Sequence, residues 1–173
     1  MSTGILRRID SRLAWLAWTQ VFALPLTILL CVGGLLWQTL TLTTTADLVE
    51  IRSDSLSAGR AAAKTLLSYD HRTLDRDFAA GRRVTTGTFR GEYAKTTKDL
   101  VTPNAKKYDV TVTAEVVSAA VVTAEKDRVE LLLYVNQNTV STLVKDGRLD
   151  QNRVQMTMVP VGDDWRVSQL KSL

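Results

Sequence analysis

A chain of 173 residues with 45% apolar and 23% charged side chains has room for one ordinary domain, and is neither a disordered tail nor a collagen-like repeat. One Cys and one His exclude an intrachain disulfide and argue against a multi-ligand zinc or iron–sulfur centre. The net charge of +4 does not make a nucleic-acid surface: Arg7, Arg8, Arg12 and Asp10 precede a long apolar run, and the rest carries 19 basic against 17 acidic residues.

The first element is that run. Leu13 to Trp37 contains no charged residue. As a helix it reaches roughly 37 Å, and a hydrocarbon core about 30 Å thick needs no more. Trp15 and Trp18 near one end and Trp37 at the other suit the headgroup layers. Pro25 and the Gly33–Gly34 pair are tolerated in lipid-spanning helices. Gln20, with the small residues Gly33 and Gly34, is the expected contact with a membrane partner. Cys31 lies inside the span and reads as a small hydrophobe. Three Arg before the span and Asp47 and Glu50 after it put the N-terminus in the cytoplasm and the remainder outside. A cleaved signal peptide is the competing reading, but the run exceeds the usual apolar core and no A-x-A site follows. The expected organisation is therefore a cytoplasmic segment 1–12, a transmembrane helix 13–37, a Thr-rich linker or helix extension 38–45, and an extracytoplasmic α+β domain 46–173.

From Ala46 the pattern turns helical. Leu48, Val49, Leu56, Ala62, Ala63, Leu66 and Leu67 fall mostly along one face. Gly59 should weaken the middle of this helix by about 1 kcal/mol relative to Ala. Residues 68–71 mark a break, with Asp70 as the expected N-cap of a short second helix through Leu74 and Phe78 that Gly81 ends. Thr86–Gly87–Thr88 opens a third helix carrying Phe89, Tyr93, Leu100 and Val101, and Pro103 should stop it. Beyond Pro103 the period changes to 2. Four strands are expected, around Val110–Val116, Val129–Val135, Val154–Met158 and Trp165–Val167. Lys126–Asp127 and Gly162–Asp163–Asp164 mark tight turns, and Lys145–Asp146–Gly147 a longer connection. Three helices followed by hairpin-linked strands imply an antiparallel sheet with the helices on one face, closing over the concave side of a curved sheet.

Catalytic motifs are not apparent. No phosphate-binding Gly-rich loop, G-x-S-x-G or H-E-x-x-H occurs. Tyr69–Asp70–His71–Arg72, with Asp75 and Asp77 nearby, is dense in titratable groups. One reading makes Asp70 or His71 a general base; the plainer reading makes them a helix start with solvated charges, because adjacent helical residues diverge. Tyr69, Tyr93 and Tyr134 would line a pocket or fill a core. Arg82–Arg83 forms a small basic patch that would touch anionic headgroups or water. The sequence therefore gives no catalytic, cofactor-binding or metal-binding residues.

One order of short motifs is informative. After the apolar span come Leu67–Ser–Tyr–Asp, Thr73–Leu–Asp–Arg–Asp–Phe78, Thr86–Gly–Thr–Phe–Arg90 with Tyr93, Pro103, Val135–Asn–Gln137, Val154–Gln–Met–Thr157 and Trp165–Arg–Val–Ser168. This succession resembles the Mce-associated membrane proteins of actinobacteria. The resemblance implies a nuclear transport factor 2-like, cystatin-like cone, and an accessory role in Mce lipid or sterol import beside permease and substrate-binding subunits. It transfers no catalytic residue or cofactor. The architecture also resembles the bitopic scaffold subunit of type IV secretion systems, and it permits a membrane-tethered lipid carrier. A ketosteroid isomerase-like enzyme shares the cone but needs a buried acid facing its pocket, and the strand faces here offer mostly Val, Leu, Met and Thr.

Overall fold

The structure is a computed structural model that describes residues 47–173. The expected span 13–37 and its flanks 1–12 and 38–45 lie outside the described residues, and Gln20, Gly33 and Gly34 with them. Among the described residues no helix is long and apolar enough to cross a membrane.

Helix α1 covers residues 47–67 of the described chain. Its stripe of Ala62, Ala63 and Leu66, flanked by Ala58 and Leu67, packs into the main core. Gly59 is buried in this stripe, and a Cβ there would overlap the Leu131 side chain. The helical weakness expected at Gly59 is thus the condition for close approach of helix and sheet. At the far end Gln137 donates from Nε2 to the Leu67 carbonyl at 3.2 Å, and Asn152 donates to Gln137 Oε1 at 2.8 Å. The Ser68 hydroxyl accepts the Ala114 amide at 2.9 Å. The Gln137 side chain, held by Asn152, therefore caps the last turn of α1, whose final carbonyls have no intrahelical partner.

Where the sequence suggested only a break, a strand forms. Tyr69–Asp70, β1, pairs antiparallel with Thr111 and Val112. Asp70 is consequently a strand residue and not the N-cap of α2 (Leu74–Arg83), whose cap position is Thr73. Gly81 does not end α2. It is buried inside the helix, where a Cβ would strike the Tyr93 ring and hydroxyl. Helix α3 (Gly87–Thr96) starts at the expected Thr86–Gly87 boundary. Pro103 does not end the helical run either. The chain widens into a π-helical turn at Thr97–Val101 and re-enters an α-helix, α4 (Thr102–Tyr108), with Pro103 in its first turn. The Thr102 amide reaches back to the Thr97 carbonyl, and its hydroxyl donates to the same oxygen at 2.8 Å. The extra residue in that turn places proline at a helix start, where no amide is required. Asp109, at φ 53°, closes α4 in the left-handed region.

Four long strands follow: β2 (Thr111–Ala124), β3 (Val129–Val140), β4 (Arg148–Val161) and β5 (Asp164–Ser172). With β1 they make a five-stranded antiparallel sheet in the order β1-β2-β3-β4-β5. The expected four-stranded sheet thus gains one two-residue member. On the helix-facing side Val129, Leu131, Leu133 and Val135 are fully buried, as the period-2 pattern requires, and Val154, Met156, Met158 and Val167 join them. Thr157 breaks the alternation because the β4–β5 register shifts between Thr157 and Met158, which buries three consecutive residues. A second, smaller cluster of Leu74, Phe78 and Ala105 lies under α2 and α4, with Tyr69 and Tyr93 against it.

The two edges of the sheet differ. On β5 the α2–α3 connection supplies partners: the Thr86 amide donates to the Val167 carbonyl at 2.9 Å, and the Val167 amide to the Val84 carbonyl at 2.8 Å. On β2, β1 covers only Thr111 and Val112, and Ser68 covers Ala114. Beyond Ala114 that side of β2 has no strand neighbour among the described residues. Two register shifts, at Val117 and Val122, interrupt the same stretch, and both valines are exposed.

Candidate functional site

The Asp70 region is built as a closed set of contacts. The Asp70 carboxylate accepts the Arg72 amide and Nε, both at 2.9 Å, and also pairs with the far end of the guanidinium. Asp77 accepts from the Asp70 amide at 3.1 Å and from the Thr73 hydroxyl at 2.7 Å, and it pairs with Arg76 at 3.1 Å. His71 Nδ1 lies 3.3 Å from the Thr111 hydroxyl and 3.5 Å from Asp70. The Arg72 hydrogen bonds hold the Asp70 carboxyl well below the usual carboxylate range. Partial burial pushes Asp77 up, but the bonds from Thr73, the Asp70 amide and Arg76 outweigh it, and the net shift is downward. Both carboxyls are therefore weak bases, whereas a general base near neutral pH needs a pKa close to the working pH. An open cleft of 410 Å³ runs beside them, bordered by Lys64, Ser68, Tyr69 and Thr113.

Tyr93 belongs to the helical layer. Its ring meets Phe78 edge-on at 6.4 Å between centroids. Its hydroxyl is buried without a hydrogen-bond partner among the described residues, and burial pushes its pKa up to about 12. Tyr134 stands on the outer face of the sheet, half exposed, beside Val117, Asn136 and Arg153. The three tyrosines thus do not converge on one pocket.

A second cleft does bring separate parts of the chain together. It measures 610 Å³ and lies between α1, the α2–α3 connection and the β4–β5 hairpin. Ala58, Ala61 and Ala62 come from α1, Val84 from the connection and Trp165 from β5. Arg83, Arg90 and Arg166 border it together with one acid, Asp164. Arg166 and Asp164 stand 3.7 Å apart. Among the described residues Arg83 and Arg90 have no carboxylate within ion-pair distance and no side-chain hydrogen bond. The expected Arg82–Arg83 patch is therefore divided, with Arg83 at this cleft and Arg82 outside its lining. Positions 83, 90 and 166 share no sequence spacing, so the grouping becomes visible only when the parallel bridge between Thr85 and Val167 joins the connection to β5. No group of three His, Cys, Asp or Glu side chains able to hold a metal ion occurs among the described residues.

Comparison with known proteins places the chain. No family model matches it. It is 32% identical over 165 residues to outer membrane protein Rv1973 of Mycobacterium tuberculosis, covering 91% of this chain and 100% of that protein. The chain belongs to the Rv1973 family. An uncharacterized protein of the same organism, Rv1362c, is 32% identical over 115 residues, or 66% of this chain and 52% of that one. Among solved structures the fold is similar to an IcmL-like type IV secretion system protein of Legionella pneumophila, with a TM-score of 0.62 at 10% identity over 70% of this chain and 91% of that one. It is also similar to CagV of Helicobacter pylori, a VirB8 homolog, with a TM-score of 0.56 at 10% identity over 69% and 96%. The helices-then-sheet cone expected from the sequence is thus the fold of this Rv1973-family chain.

Proposed function

We propose that this Rv1973-family chain is a non-enzymatic, single-pass accessory subunit of a membrane complex, and that the complex is an Mce-type lipid or sterol importer. One observation carries the reading: the space between helices and sheet is filled by Leu131, Leu133, Met156, Met158, Ala62 and Ala63, all buried. A packed apolar interior supports partners and not chemistry, since a cone-shaped enzyme needs a buried acid facing an internal pocket. The same packing counts against a carrier that holds its cargo inside the cone. The order of motifs shared with Mce-associated proteins supports the Mce assignment. The apolar segment 13–37 supplies the anchor, and Gln20, Gly33 and Gly34 the contact with a permease helix. A single span makes no transport path by itself, so transport belongs to other chains.

The name of Rv1973 places that protein in the outer membrane. For the present chain a single apolar span preceded by Arg7, Arg8 and Arg12 favours the plasma membrane, with the folded domain outside. The second reading, a scaffold subunit of a type IV secretion-like assembly, is favoured by the fold likeness to the IcmL-like protein.

Purification of the full chain in mild detergent, with identification of the co-purifying proteins, separates the two. Mce permease and substrate-binding subunits are the expected companions, reduced in Gln20→Leu and Gly33→Leu variants. Secretion-channel subunits in their place would favour the second reading. Recovery in a fraction other than plasma membrane would remove the anchor from the argument.

A further inference from the structure

We infer that the cleft bordered by Arg83, Arg90 and Arg166 is a binding site for an amphiphile that carries a phosphate or carboxylate group on an apolar body. The inference stands apart from the proposed function, since it needs no transporter and no membrane partner.

Charge is the first argument. Three guanidiniums meet one carboxylate, and that carboxylate is only loosely engaged with Arg166 at 3.7 Å. Among the described residues outside the cleft, Arg72, Arg76, Arg128 and Arg148 each hold a carboxylate at 3.1 Å or less, while Arg52, Arg60, Arg82 and Arg153 hold none. What sets the cleft apart is that arginines from three elements border one cavity together with a single acid. Arg83 at the end of α2 complements the helix dipole, but a dipole accounts for one cation and not for three from separate elements. An incoming oxyanion would receive the forked, two-point hydrogen bonds that guanidinium makes with phosphate and carboxylate.

The walls are the second argument. With Thr65 the one uncharged polar residue, the same cleft is lined by Ala58, Ala61, Ala62, Val84 and Trp165. A hydrated inorganic ion gains nothing from these groups, whereas a hydrocarbon or ring attached to the anion does. The volume of 610 Å³ lies within the range of small-molecule sites. The observations favour a small amphiphile over an acidic protein segment, because the alanine and tryptophan surface offers an extended chain no partner for its amides.

The test uses the full chain in an uncharged maltoside detergent, titrated with hexyl phosphate in a calorimeter, with the micelle blank subtracted. Trp165 emission gives a second readout, isolated by subtracting a Trp165→Phe variant that retains Trp15, Trp18 and Trp37. Hexyl phosphate is expected to bind saturably, to perturb Trp165, and to bind about tenfold or more tightly than inorganic phosphate, since the buried chain adds contact area. Hexanol and hexyltrimethylammonium are expected not to bind. Affinity should fall as salt rises, and by about tenfold or more in the Arg83→Gln, Arg166→Gln double variant, which loses charge-assisted bonds. Phosphatidic acid in the micelle competes if the natural source is a lipid headgroup and fails to compete if it is a soluble amphiphile; either result supports the site. Equal affinity for inorganic phosphate, equal affinity for hexyltrimethylammonium, or tighter binding of a poly-glutamate peptide would overturn the inference. The ligand comparisons on unaltered protein decide the matter even if the variants do not fold.

Discussion

Two polar regions lie on the surface of the same cone, and they are built on opposite principles. Around Asp70 the charges are consecutive in sequence, and most find a partner within a few residues: Asp70 with Arg72, Asp77 with Thr73 and Arg76. At the alanine–tryptophan cleft the charges come from α2, α3 and β5, and among the described residues Arg83 and Arg90 have no carboxylate within ion-pair distance. The first region is dense in titratable groups along the sequence, and in space those groups engage one another. The second is nearly silent in sequence and gathers arginines from three elements around one cavity. Density of titratable residues along a chain is thus a weaker guide than unsatisfied charge at a place where distant segments meet.

The comparison can be broken most forcefully through what both regions rest on. Leu131 is fully buried beneath Gly59; Leu131→Ala should lower stability by about 3 kcal/mol in a denaturant titration, a cavity-sized loss. A cost below about 1 kcal/mol would mean that the interior is loosely filled and the non-enzymatic reading unsound. Next, Asp77→Ala removes the acceptor of both the Asp70 amide and the Thr73 hydroxyl, and should cost about 2 kcal/mol while leaving ligand binding at the cleft untouched. The same carboxylate sharpens the contrast through pH. Its folded pKa is depressed, so its contribution is present above about pH 4 and lost as pH falls through the lower folded value. Wild-type protein should lose stability on acidification below pH 4 more steeply than Asp77→Asn, followed by circular dichroism.

Smaller effects test whether unsatisfied groups mark binding or merely imperfect packing. Tyr93→Phe deletes a buried hydroxyl that has no partner among the described residues and should raise thermal stability by about 1 kcal/mol. Smallest of all, Arg83→Gln should change stability by no more than about 0.5 kcal/mol in either direction. A large loss there would show that Arg83 is structural and place the cleft in the same class as the Asp70 region.

Much of the fold is legible in the sequence because burial writes a period. The α1 stripe through Ala62, Ala63 and Leu66 and the strand residues Val129, Leu131, Leu133 and Val135 are read directly from spacing, and all are buried. What escapes has no period to read. β1 is two residues long and is held by pairing with Thr111 and Val112, far along the chain from Asp70 and Tyr69. Gly81 and Pro103 are misleading as local signals for related reasons: one sits where the Tyr93 ring needs space, the other where a widened turn has already freed the backbone. At the cleft, Arg90 and Trp165–Arg166 fall inside recognisable motifs, yet nothing in their spacing says that they meet Arg83, because the meeting is made by the bridge of Thr85 to Val167.

The register shifts at Val117 and Val122 carry a consequence for crowding. A strand margin left open for several residues invites neighbouring molecules to zip on and grow into aggregates. Here the spare residues tilt the amides out of line at two points along that margin. Irregularity of this kind is one of the devices by which an open strand margin resists edge-to-edge pairing.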